Sequence, residues 1–448
     1  APAAVFHLLG GEMRKATAET PLSPLWQDIY GFFDENSQWQ KRLSLLKQGI
    51  GKTAKPERLS PKTAKALYGK NIFSSVSRLE RFAGCPFSFF AEYGLKAEER
   101  RLYQLNTPDL GSLFHEVLEL FSNKLEQDSL PWTSLTKEET TARIHAAVED
   151  AAPRLGNRIL LDSAANQYLI RRLKRISTRA AWTLVQHLQQ GDFVPAGYEV
   201  GFGAHEALPP IVIRLQDGGS LILNGKIDRV DLLDANGTRY VKIIDYKSGN
   251  KTFHFQDIYY GLQLQLLVYL DAYLKYYKKT GASFKPGGVF YFRITDPTLA
   301  LDEELSAEAI EKILYEKMRM SGLLLQEDVL IHGLDHSLAK SRSSAIVPVG
   351  YTKKGDPTAA SNLATEEQYA AILDFVATRT QEIGDAMKAG IITPAPYRDG
   401  QRTPCSYCSY RSLCRHSYGE APRWRKLKKI DKADFWESIT PKQPTETE

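Results

Sequence analysis

A chain of 448 residues, 43% hydrophobic and 25% charged, has the composition of a globular protein of two or three domains, which excludes a wholly disordered chain. It contains no apolar run of about 18 residues and no signal-peptide pattern near Ala1, so neither a membrane span nor secretion is expected, and we predict a cytoplasmic protein. The net charge of +5 permits nucleic-acid binding but does not by itself argue for it.

The first 70 residues are predicted to be helical. Apolar residues recur at helical spacing between Leu25 and Leu46, but they are too few to bury a core alone. We interpret residues 1–70 as a linker or as the tail of a preceding domain. The Gly-Lys-Thr sequence at 51–53 could end a phosphate-binding loop, but that motif requires a glycine where Leu46 stands, so no nucleotide site is predicted.

Two helices are predicted on either side of an aromatic stretch that contains Cys85. Ser77 and Glu80 form a capping box for the first helix. The second helix begins at Thr107 and carries His115 beside its apolar stripe rather than within it. On its own, such a histidine is more often a surface residue than a metal ligand.

Two longer helices are predicted over residues 136–155 and 163–190. The second has a basic stripe, made of Arg171, Arg172, Lys174, Arg175 and Arg179. Such a stripe can follow a phosphate backbone, but it is usually a solvated helix face. The strand predicted next contains Glu199 in an apolar run, where the acid is either a metal ligand or the partner in an edge-strand salt bridge.

A β-hairpin is predicted over residues 220–246, with its turn at 234–237. In the register that this turn implies, Asp228 lies opposite Ile243 and one diagonal step from Asp245. Both carboxylates then project from the same face of the sheet.

The returning strand ends in Ile-Asp-Tyr-Lys-Ser-Gly at residues 244–249. Because side chains alternate along a strand, Lys247 shares the face of Asp245 and Asp228. Such carboxylates can bind a hard cation such as Mg²⁺, which polarises a phosphoryl oxygen and lowers the pKa of a bound water. Lys247 would hold that water or neutralise charge on the phosphate. A hairpin with an ordinary salt bridge explains the same residues about equally well.

The rest of the pattern places helices around strands. A long helix over 257–278 brings Gln265 and Tyr269 to one face, and a buried strand is predicted at 287–294. This order of elements predicts an α/β fold with a mixed sheet flanked by helices. Residues 337–360, rich in Ser, Lys and Gly, are predicted to form a mobile loop or insertion.

The four cysteines of the chain are consistent with one metal site. Cys405, Cys408 and Cys414 form a CxxCx5C cluster, and Cys85 is the remaining cysteine. In a cytoplasmic protein this spacing favours a metal over disulfides, and four thiolates suit either zinc or an iron-sulfur cluster. Either would join distant parts of the chain and make the fold depend on the metal.

Together these motifs resemble the AddB family, whose C-terminal region is a RecB-like PD-(D/E)xK nuclease. The resemblance rests on Cys-Pro-Phe at 85–87, GSLFHE at 111–116, GKIDRVD at 225–231, IDYKSG at 244–249, QLQLLVY at 263–269 and the closing cysteine triplet. It implies a restriction-endonuclease-like nuclease domain over residues 71–420. Residues 1–70 would then be the tail of a helicase-like domain or a linker, and residues 421–448 a basic tail.

The resemblance also implies roles for individual residues. The implied catalytic set is His115, Asp228, Asp245, Lys247, Gln265 and Tyr269. The implied metal ligands are His115, Asp228, Asp245 and the carbonyl of Tyr246, to which we add Glu199 from its position ahead of the hairpin. The implied iron-sulfur site is a 4Fe-4S cluster on Cys85, Cys405, Cys408 and Cys414, with zinc as the less favoured occupant.

The expected activity is magnesium-dependent hydrolysis of single-stranded DNA. In the family such a subunit handles the 5′-ended strand released by its motor partner, which implies an AddA-type helicase/nuclease subunit and a role in processing double-strand breaks for recombination. Two other interpretations stay open. One is a stand-alone iron-sulfur exonuclease of the same superfamily, and the other is a nuclease-like domain that only binds DNA or scaffolds a partner.

Overall fold

The structure, a computed structural model, describes residues 2–16, 20–50, 58–98, 107–153, 164–299, 304–414, 416 and 424–440. Its α-helices are α1 (Pro2–Lys15), α2 (Pro24–Glu35), α3 (Ser37–Ile50), α4 (Pro61–Tyr68), α5 (Val76–Gly84), α6 (Pro86–Phe89), α7 (Thr107–Gln127), α8 (Lys137–Ala151), α9 (Ala164–Gln189), α10 (Phe255–Tyr259), α11 (Gln265–Lys279), α12 (Ala307–Lys317), α13 (Asp328–Leu334), α14 (Glu366–Lys388), α15 (Arg411–Cys414) and α16 (Lys432–Ile439). Its strands are β1 (Asn71–Ser74), β2 (Val194–Phe202), β3 (Ile211–Arg214), β4 (Ser220–Leu223), β5 (Gly225–Ala235), β6 (Thr238–Lys247), β7 (Phe284–Arg293), β8 (Ser321–Leu325), β9 (Leu363–Ala364), β10 (Tyr397–Arg398) and β11 (Arg425–Lys426).

The chain forms two compact units, each assembled from separate segments. The first unit comprises Ala1–Lys70, Arg81–Arg100 and Ile383–Lys429, and the second comprises Asn71–Glu80, Arg101–Glu382 and Ile430–Glu448. The division into sequence segments 1–70, 71–420 and 421–448 stays a prediction. No helix in the described part of the chain is long and apolar enough to cross a membrane.

The N-terminal helices of the first unit have a small core of their own. Leu9, Phe33 and Leu43 are at most 1% exposed, and the rings of Phe6 and Trp39 each lie 5.0 Å from that of Phe33. The predicted helical structure is therefore confirmed. The expectation that this segment buries no core alone is wrong, because large aromatic rings supply the area that a longer apolar stripe would otherwise provide.

A six-stranded mixed sheet forms the centre of the second unit, in the order β2-β5-β6-β7-β8-β9. The first three strands are antiparallel, β6 and β7 are parallel, and α11 lies between them in the chain as the crossover helix. The α/β architecture predicted from the sequence is therefore confirmed. Because α11 returns the chain to the start of a parallel strand, the C-terminal ends of β6 and β7 lie side by side at the same end of the sheet.

The central hairpin turns through two residues, Asn236 and Gly237, whose φ angles of 51° and 73° are those of a type I′ turn. The strands pair from Ala235 opposite Thr238 to Arg229 opposite Ile244, a register two residues away from the predicted one. The predicted diagonal placement is thus wrong, and the next position brings Asp228 directly opposite Asp245. An even shift preserves the side-chain alternation, so the two carboxylates keep their shared face.

Two predicted continuous elements are interrupted. The strand expected over 220–233 breaks at Asn224, so that β4 joins a separate sheet of order β1-β4-β3 while β5 enters the six-stranded sheet. The helix expected over 257–278 divides into α10 and α11 around Gly261, which has a φ of 73°. A glycine tolerates that backbone conformation, whereas a helix does not continue through it.

The irregular conformation predicted for residues 337–360 is present, but the segment is not simply an exposed loop. Ile346, Val347 and Val349 are at most 2% exposed, and the Met320 amide donates to the Ile346 carbonyl over 2.8 Å. The Asp335 carboxylate accepts a hydrogen bond from the buried Ser344 hydroxyl over 2.6 Å. Apolar side chains among the polar ones therefore anchor the segment in the second unit.

Candidate metal centre and active site

Three side chains from three elements converge in the second unit. His115 comes from α7, Glu199 from β2 and Asp228 from β5, and one ligand atom of each lies within 4.8 Å of the others. The His115 Nδ1 atom is 3.4 Å from Asp228 Oδ2 and 3.9 Å from Glu199 Oε1. One imidazole and two carboxylates form a donor set that suits a divalent cation.

Glu199 reaches this centre through an unusual backbone conformation. Its φ of 47° lies in the left-handed region, which is uncommon for a residue other than glycine. The pairing of Tyr198 with Arg229 and of Val200 with Ile227 places Glu199 opposite Asp228. Strain of this kind is found where the surrounding structure holds a side chain for a function.

The electrostatics of Glu199 are those of a site that attracts a cation. Burial and the charges of Asp228 and Glu119 raise the pKa of Glu199 to about 7. At His115, burial would lower the pKa, but the hydrogen bond and charge of Asp228 outweigh it and raise the pKa. The centre therefore has an excess of negative charge that a divalent ion would neutralise.

Asp245 and Lys247 form an ion pair beside the centre rather than within the three-residue group. Burial and the Asp228 charge raise the pKa of Asp245, which is only 3% exposed, to about 6. The Tyr246 amide, between the two, donates to Asp228 Oδ2 over 2.6 Å. Burial would lower the pKa of Lys247, but the charges of Asp245 and Asp228 raise it overall, so the ammonium stays charged at neutral pH.

A cavity of about 700 Å³ opens over His115 and Glu199. Glu116, Glu119 and Ser248 also line it. In the structure a Cβ atom at Gly111 would lie 3.0 Å from the Ser248 hydroxyl oxygen, so the glycine accommodates the loop that follows β6.

Gln265 and Tyr269 do contact each other, at the start of α11. Their side chains are hydrogen-bonded, and Tyr269 is only 4% exposed. The Tyr269 hydroxyl is packed against the backbone of Gly225, where an added Cβ atom would come within 2.1 Å. This burial suits a residue that positions β5, while the half-buried Gln265 is closer to solvent.

Sequence reasoning missed the role of Glu80. The predicted capping box with Ser77 is wrong, since the Glu80 carboxylate instead accepts hydrogen bonds from the Leu264 and Gln265 amides over 2.8 and 3.1 Å. It also pairs with Lys251 over 3.2 Å. Glu80 thus caps α11 from a helix far away in the chain, and no local sequence signal indicates such a contact.

The opposite face of the hairpin carries a second, fully buried group of charges. The Arg229 guanidinium donates to both oxygens of Asp231 over 2.6 and 3.1 Å, and the Lys242 ammonium lies 2.8 Å from the same carboxylate. The Trp132 ring lies 4.7 Å from the Arg229 guanidinium. The ion pair between Lys242 and Asp231 joins β6 to β5 and therefore favours this register.

The four cysteines all belong to the first unit, and all are free thiols. Burial raises the pKa of Cys85, and the neighbouring Cys405 contributes to the rise. Burial likewise raises the pKa of Cys405, with further contributions from Cys408 and Cys414. Cys405 therefore lies near each of the other three cysteines, and four thiolates are a donor set that suits zinc or an iron-sulfur cluster.

Comparison with protein families adds a decisive observation. The model of the PD-(D/E)XK nuclease superfamily matches residues 74–415, which include the whole centre and the four cysteines. The chain belongs to the PD-(D/E)XK nuclease superfamily. A second family model, the ATP-dependent helicase/deoxyribonuclease AddB fifth domain, matches residues 1–49.

Curated relatives of this nuclease chain are each named as one of the subunits of an ATP-dependent helicase/deoxyribonuclease. The protein from Alkaliphilus oremlandii is 40% identical over 98% of this chain and 38% of its own length. Those from Alkaliphilus metalliredigens and a Thermoanaerobacter species are 41% and 35% identical over 92% and 93% of this chain, and over 36% of their own lengths. The resemblance to the AddB family is therefore confirmed, and the chain spans somewhat more than a third of these relatives.

Proposed function

We propose that this nuclease chain hydrolyses phosphodiester bonds of single-stranded DNA with the help of a bound divalent cation, most simply Mg²⁺. The convergence of His115, Glu199 and Asp228 beside the Asp245–Lys247 pair carries the proposal. A bound ion would polarise a phosphoryl oxygen and lower the pKa of a water molecule. Membership of a nuclease superfamily supports this chemistry over a purely structural ion pair.

The ligand shell is proposed to include more than the three converging residues. Asp245 lies opposite Asp228 and is ionised when a cation lowers its pKa, so it is the fourth side-chain ligand that we assign. The carbonyl of Tyr246 would be the main-chain ligand. Because Mg²⁺ keeps several waters, part of its shell would stay open to substrate.

Lys247 is proposed to act as a fixed positive charge. Its raised pKa makes it a poor general base at neutral pH, so it would orient the attacking water and stabilise negative charge on the phosphate. Gln265, half-buried at the start of α11, would contact the scissile strand. Tyr269 would support it, because its hydroxyl is buried against Gly225.

The biological setting is proposed from the relatives. They are named as subunits of helicase/deoxyribonucleases, which supports a complex with an AddA-type partner. Action on the 5′-ended strand during end processing is proposed from the family resemblance alone. This chain covers 38% of the first of these relatives, and we propose that translocation along DNA belongs to other parts of such a complex.

The cysteine site is proposed to hold a 4Fe-4S cluster, with zinc as the alternative occupant. Its ligands would be Cys85, Cys405, Cys408 and Cys414. Burial raises the pKa values of Cys85 and Cys405, so metal binding would release protons, and it would join two of the three segments of the first unit, Arg81–Arg100 and Ile383–Lys429.

The test is cleavage of end-labelled single-stranded DNA by anaerobically purified protein with and without Mg²⁺. Asp245→Ala should abolish cleavage. Asp234→Ala, in the same hairpin but 65% exposed and paired with Arg239 away from the metal centre, is the matched control and should cut like wild type. The label position gives the polarity.

Either of two results would overturn the catalytic proposal. Asp245→Ala could cut as well as wild type, or the wild type could bind DNA without cutting it while its cysteine site is filled. The second result would favour a DNA-binding scaffold. Polarity from the 3′ end would refute the assignment to the 5′-ended strand but not the metal chemistry.

A further inference from the structure

We propose that a groove beside α9 is a second contact site for single-stranded DNA, in which cationic side chains hold phosphates and Trp182 stacks on a base. The inference rests on the proposed function, because it extends the path of the same substrate. It assigns a role to the basic stripe, which the metal centre does not use.

The groove lies between α8, α9 and α12 and has a volume of about 450 Å³. Its cationic lining consists of Lys137, Arg171, Lys174, Arg175 and Arg179. Among its described lining residues Glu311 is the only acid. Such an excess of positive charge attracts a phosphate backbone, because each neutralised phosphate releases condensed counterions.

The positive charges are only partly compensated. Arg175 and Arg179 share a single carboxylate, Asp296, at 2.7 and 3.3 Å. Lys174 pairs with Glu149 over 2.6 Å. Two guanidinium groups on one carboxylate leave a net positive charge that is already held in place, which reduces the entropy lost when a phosphate binds.

The spacing of the cations favours a polymer over a small anion. Arg171, Arg175 and Arg179 recur every four residues and therefore lie along one side of α9. From the first to the last the helix rises about 12 Å, which exceeds the size of one phosphate group. Arg171 is exposed and has no ion pair within the described part of the chain.

The floor of the groove is aromatic and apolar. Trp182 is half-buried, and Tyr315 is fixed by the His187 ring at a centroid distance of 5.4 Å. Met318, beneath them, is 1% exposed. The Thr178 hydroxyl also lines the groove and has no hydrogen-bond partner among the described residues. Cations beside a stacking surface are the pattern by which proteins hold single strands without reading their sequence.

Asp296 links the groove to the metal centre. It follows β7 by three residues, and the last residue of β7, Arg293, pairs with Lys247 at the end of β6. Three residues span at most about 11 Å, so Asp296 holds Arg175 and Arg179 close to the C-terminal end of β6, where Lys247 lies. A strand held in the groove can therefore continue towards the centre.

The test measures DNA binding separately from cleavage, with the full chain in EDTA and a fluorescent oligothymidylate of about 20 nucleotides. Arg171→Ala should weaken binding about threefold or more and reduce the slope of log K against log salt by about 0.7. Arg172→Ala is the matched control, since Arg172 is the neighbouring exposed arginine but does not line the groove. Arg172→Ala should leave the affinity within about twofold of wild type and should not change the slope of log K against log salt.

The stacking contact is tested by a second pair of variants. Trp182→Ala should weaken binding about fivefold or more, and Trp182→Phe should restore most of it, because phenylalanine keeps an aromatic face. Thermal unfolding of both variants checks that the groove is intact. A sharp drop in the melting temperature of Trp182→Ala would mean that the groove itself is disturbed. The comparison of Arg171→Ala with Arg172→Ala, both at exposed positions, would then decide whether the groove binds DNA.

The outcomes separate this inference from the proposed function. If Arg171→Ala and Trp182→Ala bind like wild type, or if wild type does not bind the oligonucleotide, the groove site is refuted. If Arg171→Ala loses binding while wild type never cuts, the groove stands and the proposed catalysis fails.

Discussion

Replacing Glu199 by glutamine should stabilise the metal-free protein while it weakens the metal centre. The pKa of Glu199 is raised to about 7 by burial and by the charges of Asp228 and Glu119, so the folded protein prefers the neutral carboxyl group. Above pH 7 the ionised group therefore costs stability. Glutamine keeps the shape of the neutral acid and removes this cost, but it provides a weaker ligand for a hard cation.

The size of the effect follows from the two pKa values. A carboxyl group with a pKa of about 4.5 when unfolded and about 7 when folded costs at most ~3 kcal/mol at pH 8. The Glu199 side chain is 17% exposed, so solvent screening reduces the cost, and we expect ~1–2 kcal/mol. This corresponds to a melting temperature about 2–8 °C higher for the variant. The penalty grows as the pH rises from about 4.5 to 7, so the two proteins should converge near pH 5.

Thermal unfolding at pH 8 and pH 5, first in EDTA and then in MgCl₂, checks these expectations. Mg²⁺ should raise the melting temperature of wild type more than that of Glu199→Gln. A ligand stabilises the native state in proportion to how tightly it binds there, and the variant should bind Mg²⁺ more weakly. Glu304→Gln, at an exposed position, is the control and should behave like wild type in both buffers. The reasoning fails if Glu199→Gln melts below wild type at pH 8 in EDTA, or if both respond equally to Mg²⁺.

Three further predictions address other parts of the molecule. Lys247→Ala should lower the single-turnover cleavage rate by about 100-fold or more while Mg²⁺ still raises the melting temperature; a rate near that of wild type would exclude the role of a fixed charge. Cys405→Ser should reduce bound iron or zinc, measured by elemental analysis of anaerobic protein, and an unchanged metal content would remove Cys405 from the site. Burial, with the charges of Lys242 and Arg229, lowers the pKa of His187 to about 3, so the unfolded chain binds a proton below about pH 6.5 that the folded chain does not. Lowering the pH from 7.5 to 5.5 should therefore reduce the free energy of unfolding of wild type, measured with urea, by ~1.4 kcal/mol more than that of His187→Leu. Equal reductions in the two proteins would refute the low pKa of His187.

The sequence was sufficient to predict that Asp228, Asp245 and Lys247 share one face of the hairpin, because this depends only on side-chain alternation. The register itself was predicted incorrectly, although a signal was present. Asn236-Gly237 is the preferred pair for a two-residue type I′ turn, and choosing it would have placed Asp228 directly opposite Asp245.

Other features depend on contacts between distant residues and could not be read from local patterns. Glu80 caps α11 across a separation of 184 residues, and a nearby Ser77 made a local capping box seem sufficient. The position of Glu199 depends on a left-handed backbone conformation inside a strand, which no propensity predicts for glutamate. The break between α10 and α11 at Gly261 was only partly predictable, because a glycine permits a break in a helix without requiring one.

The buried charges behind the hairpin explain how such a centre can be held in place. Removing Arg229, Asp231 and Lys242 from water costs free energy, so a buried ion group of this kind is weak evidence for stability. A slip of β5 against β6 would leave the Arg229–Asp231 pair intact but would separate Lys242 from Asp231, and an unpaired ammonium in the interior costs several kcal/mol. The register that keeps Lys242 paired is the one that brings Asp228 opposite Asp245. The repulsion between those two carboxylates is thus opposed by a requirement on the other face of the same strands, and the excess negative charge persists as a binding site for a cation.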